Sequence, residues 1–432
     1  RPKAGVYAVR AAPVLTRNLR VALWGGARAR FRPQRDYLKL ISMGGKVAVA
    51  DRSGLSVSGP WLWRWKDRID RSFMDKLGEL PAMRPPPPPR ERAKGVGEMV
   101  AGPAPCAGCG AKLGPGGLAA VLARLPAAAR DDVASQPGDD AAILRTEAGW
   151  QVVTTDHLRA FTEDPVVLAR IAAVHALGDV WAMGAAPQAA LATVILPRMA
   201  PELAEATLAE LLEPAAEVFR AAGADLVGGH TSLGPEMILG FTVTGLRRDP
   251  PVTLAGARPG DALILTKPLG SGTLLAAEMR GRAAGPDVAA ALDVMARPQG
   301  DAAQALSAAH AMTDVTGFGL AGHLMNISGA SGCGARIDLA ALPLMREAEA
   351  LAARGIRSTL WPENRAALAG RIAGEAESPR APLLFDPQTA GGLLAAVAPD
   401  AADVLVATLR AQGHDAARIG EMTDAPPGLT LA

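Results

Sequence analysis

The sequence predicts an α/β or α+β protein built from two or three domains and preceded by an unlike N-terminal segment. A chain of 432 residues is long enough for more than one hydrophobic core. From Gly95 onward, short apolar strand-like runs alternate with Ala/Leu-rich helical runs, the pattern of mixed α/β layers. Charge also divides the chain: residues 1–94 carry 21 Lys/Arg against 7 Asp/Glu, while residues 95–432 carry 24 against 36. Such a shift marks units of different origin.

The elements follow in order. "KAGVYAVR" (3–10) reads as a short strand, "APVLTRNLRVAL" (12–23) as a helix, and "WLWRWKDRIDRSFMDKL" (61–77) as a cationic stretch. "RPPPPPR" (84–90) is a stiff polyproline II spacer that no helix or strand crosses, within a linker placed at 84–97. "WQVVTTD" (150–156), "AALATVILP" (189–197) and "EMILGFTVTGL" (236–246) read as strands. The run 165–184 reads as a helix ended by Gly184, and 204–223 as a helix capped by Gly223. Pro and Gly cluster at 247–261 and mark a second boundary before the strands "ALILTKPLG" (262–270) and "GLLAAVAP" (392–399).

Composition narrows the classes. With 49% hydrophobic, 20% charged and 4% aromatic residues, the chain is a folded, soluble type. No apolar run is read as reaching the roughly 18–20 residues that span a bilayer, and no secretory signal opens the chain. Three cysteines exclude a disulfide framework and fit a reducing cytoplasm. The basic segment spreads its cations among Trp24, Trp61, Trp63 and Trp65, which favours a surface or interdomain role over nucleic acid. Because the chain opens on Arg1, it is expected to continue a longer protein or follow a removed segment.

Chemistry concentrates in a few places. After residue 94 the only lysines are Lys112 and Lys267, against 22 arginines. A lysine retained there points to a compact, titratable point charge, although Lys267 also reads as merely closing a strand. Aspartates follow apolar runs at Asp139 and Asp140, Asp156, Asp179, Asp314 and Asp386. One alone is an ordinary turn or cap residue; recurring, they suit Mg²⁺, a hard cation that arrives with a polyphosphate. Gly228, Gly229 and His230 follow a strand and expose backbone N–H groups to a phosphate. "GFGLAG" (317–322) matches a dinucleotide fingerprint but lacks the downstream acidic residue, so it reads as a Gly-rich helix start.

"PCAGCGAKLGPGG" (105–117) holds Cys106, Cys109 and Lys112. Zinc would need two more ligands, and only the isolated Cys333 remains, with no H-x₃₋₅-H pair. A Cys106/Cys109 redox pair stays open. The other reading is a catalytic loop whose Lys112 ammonium favours the Cys109 thiolate.

In order, "AGCGAK", "GDDAAIL", "TTD", "GDVWAMGA", "LVGGHTS", "LTKPLGSG", "AMTDVTGFGLAGHL" and "FDPQTAGGLL" together resemble the selenide, water dikinase (selenophosphate synthetase) family, over roughly residues 98–432. That family lies in the aminoimidazole ribotide synthetase-like superfamily. The resemblance implies a two-domain fold, with an ATP-binding domain at 98–250 and a second domain at 251–432. It implies conversion of ATP, selenide and water to selenophosphate, AMP and orthophosphate, supplying selenium for selenocysteine and selenouridine. By position, Cys109 and Lys112 match catalytic residues, and Asp140, Asp179 and Asp314 match magnesium ligands. Lys112, Pro137, Gly138, Asp139, Asp156, Gly228, Gly229 and His230 match ATP contacts. A cytoplasmic homodimer is implied, open to a selenium-delivery protein, with neither nucleic acid nor membrane as partner. Two positions depart from some members: Ala111 stands where a second cysteine occurs, and His175 where asparagine occurs.

Residues 1–83 are similar to the C-terminal end of pyridine nucleotide-disulfide oxidoreductases of the NADH dehydrogenase-like type, a flavoprotein fused to such synthetases in some bacteria. No dinucleotide fingerprint precedes this tail, so it is not expected to bind FAD alone. Two other readings stand beside the synthetase: an ATP-dependent small-molecule kinase or cyclo-ligase of the same superfamily, and a thiol redox carrier using Cys106/Cys109 with the flavoprotein tail as electron donor. ATP dependence separates the carrier from the others.

Overall fold

The computed structural model describes residues 5–34, 36–78, 91, 105–114, 121–122, 124, 128–134, 138–374 and 378–432. The chain forms two compact units, residues 1–102 and 103–432. The polyproline run and the rest of the 84–97 linker, Glu91 excepted, lie outside the described residues.

The first unit is a helix Gly5–Trp24, a sheet of β1 (Lys39–Gly44), β2 (Val47–Arg52) and β3 (Leu55–Gly59), and a helix Pro60–Gly78. The sheet is antiparallel throughout, in the order β1-β2-β3. The expected strand at 3–10 is corrected: residues 5–10 are the first turns of a helix that continues through Pro13. A six-residue apolar alternation fits either period, and the alanines Ala8, Ala11 and Ala12 favour the helix. The cationic stretch 61–77 is helical, supported at i,i+4 by Lys66–Asp70 and by Asp67–Arg71 at 2.9 Å.

The second unit holds two sheets. The first contains β4 (Ala142–Thr146), β5 (Gly149–Arg159), β6 (Ala186–Pro197), β7 (Asp225–Gly234) and β8 (Ile238–Arg247), in the order β4-β5-β8-β6-β7. The second contains β9 (Ala262–Leu265), β10 (Ala311–Asp314), β11 (Gly334–Ile337), β12 (Ile372–Ala373), β13 (Leu393–Val397), β14 (Ala417–Thr423) and β15 (Leu429–Leu431). Its order is β10-β13-β9-β14-β11-β15-β12. The Pro/Gly cluster at 247–261 lies between the two sheets in sequence.

One helix, Pro165–Ala182, ties the sheets together. Asp164 starts it by accepting from the backbone N–H groups of Val166 (2.9 Å) and Val167 (3.1 Å), with Pro165 at the first helical position. Gly184, at φ +63, lets the chain leave it in the left-handed region. It packs against β5 and β8 on one side and β10 of the other sheet. Its mean hydropathy of 1.3 over 18 residues would pass for a membrane span, and 72% of that window is buried inside the unit. The sequence reading that no run reaches spanning length is corrected here, because Arg170 and Asp179 do not lower the average enough. It is a core helix, and its packing fixes two of the polar side chains it carries, His175 and Asp179.

Candidate functional site

The residues 105–114 are anchored to the second unit from both ends of a short 3₁₀ turn, Gly108–Ala111. The Cys106 N–H donates to Thr359 Oγ1 at 3.0 Å, and Thr359 Oγ1 donates to the Gly110 carbonyl at 3.2 Å. The Cys109 N–H donates to Thr389 Oγ1 at 3.2 Å. Gly108 sits at φ +59, and a Cβ there would lie 2.7 Å from that same Thr389 oxygen. The glycine is therefore required both by its dihedral and by the approach of the threonine.

From this turn Lys112 reaches Asp156 on β5, Nζ to Oδ2 at 2.9 Å. The same carboxylate oxygen lies 2.8 Å from His175 Nε2, which is also 3.4 Å from Cys109 Sγ. Cys109, His175, Asp156 and Lys112 thus form one connected group. Burial opposes the charge of Asp156, but His175 and Lys112 outweigh it and hold the carboxyl below its usual range. Burial likewise opposes charge on Lys112 and His175, and the neighbouring Cys109 and Asp156 outweigh it, raising both.

Beside this group Asp140, Asp179 and Asp314 bring carboxylate oxygens within 4.8 Å of one another. Asp140 precedes β4, Asp179 is one helical turn beyond His175, and Asp314 ends β10. Thr313 Oγ1 donates to Asp140 at 2.8 Å, and Thr154 Oγ1 donates to Asp179. Burial first, and then one another's negative charges, push Asp140 and Asp179 well above the carboxylate range; Asp314 is raised by burial. Asp140 Oδ2 is buried without a hydrogen-bond partner among the described residues. An orphaned carboxylate oxygen among hard, crowded oxygen donors fits Mg²⁺.

Asp139 touches this network, accepting from the Asp140 N–H at 3.1 Å; the remaining candidates hold other positions. Gly138 and Asp139 line a cavity of about 730 Å³ together with Leu254, Phe318, Met325 and Asn364. Pro137 lies outside the described residues. Gly228, Gly229 and His230 lie in exposed β7 at the sheet edge. The register runs Asp156–Phe241–Ala192–Gly229, so Gly229 is three strands from Asp156, roughly 14 Å away at the usual strand spacing. Lys267 is buried, with Nζ donating to the Ala390 carbonyl at 2.9 Å, and burial lowers it to about 7. Asp386 is buried against the start of the helix Ser271–Met279, accepting from the Thr273 hydroxyl at 2.8 Å, and burial raises it to about 6. Both hold loops in place rather than joining the carboxylate cluster.

Sequence reasoning named Asp156 and Asp179 and noted His175 as a departure, but it passed over Thr154, Gly178 and Gly317 and did not join His175 to the site. His175 and Asp179 stand four apart on one helix, a spacing that places them on one face. Thr154 and Asp156 stand two apart on β5, again one face. Those signals were available. Gly178 and Gly317 were not legible: a Cβ at Gly178 would lie 2.5 Å from Asp314 Oδ2, and one at Gly317 would lie 2.8 Å from Lys112 Cδ. "GFGLAG" does open a helix, Gly319–Ser331, and its first glycine also clears the path of the Lys112 stem.

Residues 138–247 match the AIR synthase related protein N-terminal domain, and residues 258–430 its C-terminal domain. The chain is 39% identical over 341 residues to a selenide, water dikinase of Nitratidesulfovibrio vulgaris strain Hildenborough, covering 75% of this chain and 96% of the relative. It is 40% identical over 336 residues to a selenide, water dikinase of Burkholderia ambifaria, covering 75% and 94%. Among solved structures, tt0281 from Thermus thermophilus superposes with a TM-score of 0.57 at 25% identity, covering 74% of this chain and 97% of that one. AaThiL complexed with AMPPCP and TMP shares the fold, with a TM-score of 0.56 at 19% identity, covering 74% and 93%.

Proposed function

We infer the reaction from one premise: the chain belongs to the selenide, water dikinase family. It is an enzyme that makes selenophosphate from ATP, selenide and water, releasing AMP and orthophosphate. The observation that carries the site assignment is the meeting of Cys109 and Lys112 with Asp156 beside the three-carboxylate cluster.

Asp140, Asp179 and Asp314 would hold Mg²⁺, which when bound neutralises polyphosphate charge. Lys112, paired to Asp156, offers its ammonium to charge developing on the γ-phosphoryl group. Cys109 holds or delivers the selenium nucleophile; the γ-phosphoryl passes to selenium and the remaining phosphoryl group of ADP to water. Buried Cys109 and its glycine-flanked turn keep bulk water from the reacting centre, so the turn must open to admit substrate. Gly138 and Asp139 line the cavity we assign to the nucleotide.

Gly228, Gly229 and His230 fit the same reading if β7 meets a second copy. That exposed edge strand carries Val227 and Leu233, and a homodimer formed there would return the glycine loop to a nucleotide. The free, buried cysteines fit a reducing cytoplasm, where selenide, free or brought by a delivery protein, survives. The first unit we read as the tail of a fused flavoprotein oxidoreductase, on its resemblance and its separate compactness.

³¹P NMR of the anaerobic protein with Mg²⁺-ATP, with and without selenide, tests the reaction. A selenide-dependent phosphorus signal with matching AMP and orthophosphate is expected. ADP as the only product would favour a kinase or ligase of the same superfamily, and an inert ATP pool would favour the redox carrier.

A further inference from the structure

The departure at His175 has a definite geometry. The imidazole is buried on the core helix, 2% exposed, and its Nδ1 has no hydrogen-bond partner among the described residues. The hydrogen-bonding state of the ring is therefore decided at Nε2. That nitrogen faces Asp156 Oδ2 at 2.8 Å and Cys109 Sγ at 3.4 Å. A carboxylate that also pairs with Lys112 stays ionised, and a lone pair on nitrogen 2.8 Å from it would be repelled. Nε2 therefore carries a hydrogen. With the nitrogen already protonated, the sulfur beside it is the acceptor.

We propose that His175 is a positioning residue that holds Cys109 as a thiolate, its Nε2–H shared between the sulfur and Asp156. The inference rests on the reading of Cys109 as the reacting thiol, and it adds to the charge of Lys112 a direct N–H contact with the sulfur. Two cations, His175 and Lys112, then alternate with two anions, Cys109 and Asp156, in one buried group. Charge balance is internal to the group, which is what burial demands. The other charged groups facing the ring are Asp314 at the end of β10 and, one turn along the same helix, Asp179. The thiol proton leaves to solvent when the turn is open, and no turnover-by-turnover proton transfer to His175 is required. The sulfur is thus ionised before ATP arrives.

The test reads ionisation of Cys109 directly, with neither ATP nor selenide present, so it stands apart from the dikinase assignment. Ultraviolet thiolate absorbance is titrated in the full chain and in Cys109→Ser, and the difference isolates this thiol from Cys106 and Cys333. The same pair of measurements is made in a His175→Ala background and a His175→Gln background, with thermal melts confirming the folded state. Removing the ring is expected to move the Cys109 midpoint upward by about one pH unit or more, the scale of losing a neighbouring opposite charge. His175→Gln, which keeps an N–H near the Nε2 position without the charge, is expected to fall between. If His175→Ala leaves a space that prevents folding, His175→Gln carries the test. A midpoint unmoved in the folded variants overturns the proposal, as does selenophosphate synthesis lost while the midpoint stays in place.

Discussion

Lys112 and Gly317 depend on each other although 205 positions separate them. The lysine stem passes so close to Gly317 that a Cβ there would lie 2.8 Å from Cδ, while its ammonium is fixed by Asp156 at 2.9 Å. Arginine at 112 keeps a positive charge but brings a wider, planar head into that passage. Lys112→Arg is accordingly expected to lower selenide-dependent AMP formation by about 100-fold, the order set by misplacing a catalytic group by an ångström. A rate within a few-fold of the parent would remove the reason for a lysine there. Gly317→Ala leaves Lys112 intact and displaces it, so kcat should fall by a similar order (about 100-fold). The lysine stood out in the sequence because, after residue 94, nearly every other cation is arginine. The glycine did not, because a contact between distant segments leaves no periodic trace in one chain.

Elements with a clear period were legible, and elements whose meaning depends on a partner were not. The run 165–184 showed itself as a helix through its apolar spacing and closing glycine, and β5, β6 and β8 through their apolar runs. The first ten residues misled because alternation over so short a stretch serves a helix equally well. At the site, the loop "FDPQTAGG" was read for its aspartate, whereas Asp386 braces the helix Ser271–Met279 through Thr273, and the residue that touches the reactive turn is Thr389. Thr389→Val keeps the shape and removes the acceptor for the Cys109 N–H. Leaving that buried donor unpaired should cost about 1–3 kcal/mol of stability. It should also lower kcat/KM, since the 3₁₀ turn loses one of its tethers. Chemical denaturation and steady-state rates check both arms; an unchanged rate in a destabilised protein would show that the turn is held well enough by Thr359 alone.

At the scale of the whole molecule, two buried sets of groups pull stability in opposite directions with pH. Buried His323 accepts from the Thr316 N–H at 3.1 Å, and burial and then Lys112 push it down to about 3. The unfolded imidazole takes up a proton near 6.5 and the folded one does not until about 3, so stability drains away as pH falls through that window. The loss reaches on the order of 5 kcal/mol at the bottom. Asp140, Asp179 and Asp314 act with the opposite sign. Their raised values mean that the folded state binds protons more tightly than the unfolded chain, so their contribution is full at low pH and is lost as pH rises and three crowded charges appear. Mg²⁺ binding only the folded, ionised cluster would restore that loss by mass action. Melting temperature measured against pH therefore separates the two. Mg²⁺ should raise it strongly near about pH 8 and hardly at all near about pH 4, where the cluster is protonated. Asp314→Asn should shrink the Mg²⁺-dependent rise while sparing the acid limb, because His323 does not depend on that carboxylate. His323→Gln, which keeps an acceptor for Thr316 but does not titrate, should flatten the acid limb and leave the Mg²⁺ response in place. A Mg²⁺ response of equal size at both ends of the pH range would place the cation elsewhere than on these aspartates.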